Sequence, residues 1–227
     1  MNLSITKDIR AELNSVRHQG RRPTCLAFAA SDVHRHARKH PEYLCVEWLY
    51  YHATQQAKTG PHAGTTIPDT RAVLKGLGQP VESIWPYSSA PPNPTTWRPP
   101  AASGKLMTCA SSEHGTGLHA VRQNIDQGMP VVIGLFVSDT FNFPQTWDYS
   151  GDDVILARDA DQQIDHTRGH AVVVVGRGGY HGEPVMLLRN SWGTNWGHKG
   201  HAWVRETYLH ARLAGAFVVT RGEANVL

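Results

Sequence analysis

The chain is poor in cysteine, with only Cys25, Cys45 and Cys109 among 227 residues. An odd, low count excludes a fold built on a disulfide framework and fits folding in a reducing compartment. Long apolar runs are missing too. The longest in the second half, Ala171 to Val175, has the length of a buried strand, not of a membrane span, so no membrane partner is expected. The opening MNLSITKDIRAEL lacks the apolar stretch of a secretory signal. Synthesis in the cytoplasm is therefore expected, with any export as an effector taking another route. Charge of one sign is also lacking: 22 basic against 19 acidic residues leave a formal +3. The short runs Arg21-Arg22 and Arg35 to His40 read as solvated surface, so no nucleic-acid partner is expected. No internal repeat is visible. What is present, 40% hydrophobic and 18% charged residues, describes a globular protein with room for two packed lobes sharing a cleft.

The periodicity changes along the chain. Thr24 is positioned to cap a helix from Cys25 to about His40, stopped by Pro41. Leu26, Ala29, Ala30, Val33 and Ala37 recur at helical spacing and give it a buried face. Further helices are predicted over Val46 to Gln56, Pro68 to Lys75 and Leu118 to Gln127. Before the first of these, Ile5, Ile9, Leu13 and Val16 are spaced to bury one face. Residues 86 to 100 hold six prolines and predict an extended surface segment that crosses between lobes. Then Pro130 to Val137, Ala171 to Gly176, Val185 to Leu188, Ala202 to Arg205 and Ala216 to Thr220 read as strands. Helices first and strands later predict an α+β chain, one catalytic domain over 1–227 with a mainly helical lobe to about 110 and a mainly β lobe over 111–227.

Cys25 would open its helix. A thiol there feels the positive end of the macrodipole, which favours thiolate, the nucleophilic form. Cys45 and Cys109 read as ordinary buried thiols. Of 14 histidines, His170 stands directly before the apolar run AVVVV, where a strand would hold its ring between a thiol and an orienting group. His166 competes, but in a polar loop with no strand to hold it. His36 and His40 share a helix face without a third ligand at telling spacing, so no metal and no cofactor are expected. Asn190 ends VMLLRN, where its amide can accept from the far side of an imidazole. Gln19, before Gly20, can donate to an oxyanion beside the backbone N–H of Cys25. Singly, these last two are bland turn residues.

Taken in order, the segments His18-Gln19-Gly20, Cys25-Leu26-Ala27-Phe28-Ala29, Gly169-His170-Ala171-Val172 and Asn190-Ser191-Trp192-Gly193-Thr194-Asn195-Trp196-Gly197 resemble the papain-like cysteine peptidases. The last segment is the most specific. The resemblance implies a helical N-terminal lobe and a β-barrel-like C-terminal lobe with the active-site cleft between them. It implies a Cys25–His170–Asn190 triad, Gln19 in the oxyanion hole, and Trp192 covering the histidine–asparagine bond. It also implies a polypeptide substrate cleaved through an acyl-enzyme. The same triad could serve an acyl transferase or amidase, and a binding module that keeps the fold without catalysis is the reading from another class.

The family's Cys-Gly-Ser-Cys-Trp run is absent. Arg22 stands where its first cysteine normally forms a disulfide. Gly64-Thr65-Thr66 stands where paired glycines usually hold the substrate backbone. Gly64, Thr65, Thr66 and Gly169 are accordingly the expected substrate-binding positions. The missing disulfide and prodomain point to a bacterial, cytosol-folded branch. Such an enzyme is expected to be active without maturation and restrained by narrow specificity, export, or a separate inhibitor or immunity protein.

Overall fold

The switch in periodicity from helix to strand separates two units in the computed structural model, which describes residues 3–102, 104–142, 147–156 and 163–221. The helical unit runs from His18 to Ser112 and takes up the chain again from Val219. The sheet unit comprises the chain up to Arg17 together with Glu113–Val218.

In the helical unit, α1 (Cys25–Arg38), α2 (Val46–Gln56) and α3 (Ile67–Gly76) pack together. The predicted stripe on α1 is only part of its buried surface. Ser31 and His34 are also fully buried, and Gln79 bonds the Ser31 hydroxyl and one ring nitrogen of His34. Gln79 Nε2 donates to Ser31 Oγ at 2.7 Å and to Cys45 O at 3.0 Å, and Gln79 Oε1 lies 2.9 Å from His34 Nδ1. The helix ends at Arg38, two residues short of the predicted stop. Lys39 turns left-handed (φ 49°) and returns its N–H to Arg35 and His36. The proline-rich stretch is irregular and lies within the helical unit rather than crossing to the other, and its Trp97 is buried.

The sheet unit carries β1 (Ser4–Asp8), α4 (Leu118–Asp126), β3 (Val131–Phe136), β4 (Asp148–Ser150), β5 (Asp153–Ile155), β6 (Gly169–Tyr180), β7 (Glu183–Arg189), β8 (His201–Arg205), α5 (Glu206–Arg212) and most of β9 (Leu213–Thr220); β2 (Ala110–Glu113) precedes them along the chain. The strands run in the order β9-β3-β6-β7-β8-β5-β4. The long β6 is shared: its first half pairs with β3, from His170↔Leu135 to Val174↔Val131, and its second half with β1. This is why the N-terminal segment joins the sheet and not the helices. Strand pairing exposes Ile5 to 50% while Ile9, Leu13 and Val16 are buried, so they do not form a helical face. Val131, Ile133, Val172, Val174, Leu188 and Val204 pack with Phe141, Trp147 and Trp196 in one cluster. That apolar burial is the main force fixing β6 and β7, and hence the residues at their ends.

Candidate active site

Cys25 is the first residue of α1 and half-buried. Thr24 occupies the cap position, but its side chain makes no capping hydrogen bond. Its hydroxyl lies 2.9 Å from Tyr87 Oη, and Tyr87 donates its one proton to Gln19 O at 2.7 Å, so Thr24 is the donor of the first pair. The cap hydroxyl is thus drawn away from the N–H groups around Cys25. Those groups and the dipole remain to favour negative charge on sulfur.

Gln19 is buried, and its Nε2 donates to Arg22 O at 2.8 Å, which orients the amide. Gly20 is left-handed (φ 65°), and a Cβ there would stand 2.8 Å from Ser89 Cβ, so the turn needs glycine. The same loop is anchored by Arg22, which is only 3% exposed. Its guanidinium meets Glu47 in a two-pronged ion pair, Nη1 to Oε2 and Nη2 to Oε1, both 2.7 Å. Nη1 also donates to Ser88 O at 2.6 Å, and Trp97 Nε1 donates to Glu47 Oε1 at 2.5 Å. The rings of Tyr87 and Tyr50 lie 4.9 and 5.4 Å from the guanidinium carbon. A buried, hydrogen-bonded charge pair therefore ties the Gln19–Cys25 loop to α2 at the position where a cysteine was expected from the resemblance.

In the sheet unit, His170 is the first buried residue of β6. Its Nε2 lies 2.7 Å from Asn190 Oδ1, which also accepts from Ser191 N at 2.8 Å. An amide oxygen only accepts, so the neutral ring carries its proton on Nε2 and keeps Nδ1 as its basic nitrogen. Burial lowers the His170 pKa to about 4, opposed by the Asn190 hydrogen bond. Trp192 covers the ring, with centroids 4.5 Å apart, and Phe141 closes a second side at 5.9 Å. Phe141 is itself held by tryptophans: Trp196 Nε1 donates to Phe141 O at 2.9 Å and Trp147 Nε1 to Thr140 O at 2.7 Å.

The other expected positions are diverse. Gly169 is exposed beside His170. Gly64 is exposed, with nothing within 4 Å of a would-be Cβ. Thr66 caps α3, accepting from Asp69 N at 3.3 Å, and Thr65 receives a long contact of 3.5 Å from Thr70. His166 is exposed and edges Phe136. Cys45 and Cys109 are buried thiols whose pKa burial pushes up to about 12, and no disulfide forms. Among the described residues no cluster of three His, Cys, Asp or Glu could hold a metal. The sequence pattern did not single out Tyr87, Glu47, Trp97 or Phe141. The one signal that could have done so is Glu47, a lone carboxylate inside the apolar run VEWLYY.

The profile of the papain family of cysteine proteases matches residues 4–218, and the chain belongs to that family. It is 26% identical over 208 residues to a cysteine protease of Blomia tropicalis and 24% identical over 198 residues to the viral cathepsin of Choristoneura fumiferana nuclear polyhedrosis virus. Each match takes in 86% of this chain but only 58% and 56% of the relative, so the chain spans under three-fifths of their length. In fold it is similar to xylellain, a cysteine protease from Xylella fastidiosa (TM-score 0.73, 22% identity, 98% of this chain and 92% of that one). It is also similar to a Carica candamarcensis cysteine protease solved in complex with E-64 (TM-score 0.71, 20% identity, 95% of this chain and 98% of that one).

Proposed function

We propose that this chain is a peptidase that cleaves peptide bonds through a covalent acyl-enzyme on Cys25, with His170 as proton carrier, Asn190 as its orienting partner and Gln19 in the oxyanion hole. The observation that carries the reading is the 2.7 Å bond from His170 Nε2 to Asn190 Oδ1, which leaves Nδ1 as the basic nitrogen under an aromatic cover. Burial alone keeps the ring neutral, and a thiolate on Cys25 is the counter-charge that would let it hold a second proton. In the first step the thiolate forms an S–C bond to the substrate carbonyl, the C–N bond breaks, and Nδ1 gives its proton to the leaving amine. Gln19 Nε2, its orientation fixed by Arg22 O, would donate to the tetrahedral oxyanion with the Cys25 N–H; one such donor is worth about 10²–10³ in rate. Water then gives a proton to Nδ1, adds to the thioester carbon and releases the acid and the thiolate. Gly64, Thr65, Thr66 and Gly169 are proposed to contact the substrate.

The test is labelling with a thiol-reactive peptide epoxide beside peptide-library cleavage, wild type against Cys25→Ala. Stoichiometric labelling and cleavage in the wild type, both lost in the variant, are expected. Labelling no faster than that of a simple thiol would refute the reading, and a product carrying an added amine in place of water would identify a transferase.

A further inference from the structure

In the sheet unit, beside the end of β7, lies a cavity of about 480 Å³ with Arg10, Arg189, Lys199, Asp153, His198 and His201 in its lining. Leu13 and Val16 give it an apolar wall. Gly200 holds that wall: it is left-handed (φ 83°), and a Cβ there would stand 2.6 Å from Val16 Cγ2. Arg10 is fixed at the rim by Asp8 at 2.7 Å and Asp153 at 3.1 Å, and Arg189 donates to Ser15 O at 3.0 Å. Three cations thus line the space against the single carboxylate of Asp153, with Asp8 behind Arg10.

His201 supplies the second observation. It is 7% exposed and stands opposite Arg189 in the β7–β8 register. Its Nδ1 lies 2.9 Å from Lys199 O. A carbonyl only accepts, so the neutral ring carries its proton on Nδ1 and its Nε2 is a bare lone pair. That atom is buried and meets no hydrogen-bond partner among the described residues. A buried acceptor left without a donor is unfavourable. Protonation is a poor remedy, because burial first, and then Arg189 and Arg10, lower the ring's pKa to about 4, with the Lys199 carbonyl and Asp8 only partly opposing. The cavity therefore combines a positive wall with a lining residue, His201, whose ring holds an acceptor in need of a donor. Few anions carry a donor proton at neutral pH; hydrogen phosphate does.

We propose that this cavity binds a phosphate group that retains a P–OH, the hydroxyl donating to His201 Nε2 and the oxyanions facing Arg10, Arg189 and Lys199. Sulfate, of equal charge, has no proton to give. A phosphomonoester has largely lost its own near neutrality, since its second pKa is about 6.

The site is tested by calorimetric titration of the full chain with inorganic phosphate, sulfate and glycerol 3-phosphate in a phosphate-free buffer at a pH of about 7.5, repeated at about 6. The readout is binding, so it stands whether or not the chain is a peptidase. Phosphate should saturate one site and bind at least about tenfold tighter than sulfate at the higher pH, the worth of one buried hydrogen bond. At the lower pH, glycerol 3-phosphate binding tighter than phosphate would assign the site to a monoester whose organic part lies on Leu13 and Val16. Phosphate remaining tighter would assign it to the free ion. Lys199→Asn keeps a residue that tolerates the left-handed turn at φ 51° and should weaken both anions about fivefold. His201→Gln should abolish the preference for phosphate over sulfate; if that variant does not fold, Lys199→Asn and the sulfate comparison decide alone. No saturable heat, sulfate as tight as phosphate, or phosphate binding unaltered in Lys199→Asn would each overturn the proposal.

Discussion

Arg22 and Glu47 are 3% exposed each, and their fate on mutation follows from the cost of burying charge. Consider Glu47→Gln in a Cys25→Ala background, which removes any self-digestion. The substitution keeps shape but leaves the Arg22 guanidinium without its counter-ion. Breaking a buried pair from one side costs about 3–5 kcal/mol. Arg22 would keep Ser88 O at 2.6 Å and the faces of Tyr87 and Tyr50, which places the expected loss at about 3 kcal/mol. For a chain of this size that is a fall in melting temperature of about 6–12 °C. The double variant Arg22→Met with Glu47→Leu removes both charges together and should recover most of the loss, because desolvation of the pair offsets most of its attraction. Urea unfolding of the parent, the Arg22→Met and Glu47→Leu singles and their double variant gives the cycle directly. If Glu47→Gln cost under about 1 kcal/mol, or the double variant cost the sum of the singles, the ion pair would not be the anchor described here. In the chain with Cys25 intact, the double variant also tests positioning. Arg22 O orients Gln19, so turnover should fall while substrate affinity changes less, and Arg22→Lys with Glu47 retained should restore part of it.

Asn190→Ala should reduce turnover less than His170→Ala, and the double variant should match the histidine single if, as proposed, the two residues act as one unit. Additive losses in steady-state kinetics would contradict a shared role. His34 and His201 are buried with pKa values lowered from 6.5 to about 4, so the unfolded chain binds protons in that window that the folded chain refuses. Stability should be complete above pH about 6.5 and drop toward pH about 4, by on the order of 3 kcal/mol for each ring, in acetate and MES buffers. A flat unfolding free energy over that range would refute it. Reductant should leave the melting temperature unchanged, because Cys45 Sγ is engaged by Trp48 N at 3.3 Å and Trp85 O at 3.1 Å and no disulfide forms; a shift of more than a few degrees would contradict this.

Family and fold class were legible where local sequence dictates local structure. The run AVVVV after His170 has the length and β-branched composition of a buried strand, and Asn190 to Gly197 is dense enough in glycine and tryptophan to identify the turn that follows β7. The α+β division showed in the change of period. What stayed hidden depends on partners distant in sequence. Ser4–Asp8 has a period no better for a strand than for a helix, and its strand exists because β6 offers an open second half. Thr24 has the residue type of a cap, yet Tyr87, far along the chain, competes for its hydroxyl and wins. The proline-rich stretch looked like a crossing because prolines favour extended surface, but Trp97 within it finds Glu47 and turns the segment into a lid on Arg22.

Glu47, with its partners, shows how one position changes the logic of a site. A disulfide restrains a loop through covalent geometry and depends on an oxidising compartment. An ion pair restrains it through charge, and only while water is kept out. Trp97, Tyr50 and Tyr87 are the residues that exclude water here, so the restraint on Gln19 and Cys25 rests on aromatic packing as much as on Arg22 itself. The arrangement works in a reducing medium, in keeping with a chain whose other two thiols are buried and pushed far above neutral pKa values. The same physics recurs in the other unit. There His170 is buried, neutral on its own and covered by Trp192 and Phe141, so its capacity to hold a second proton depends on a nearby negative charge that solvent does not screen. In each unit a polar group that the proposed mechanism uses is held by one strong hydrogen bond beside an aromatic wall, and removing the wall should weaken turnover without touching a proposed reacting atom.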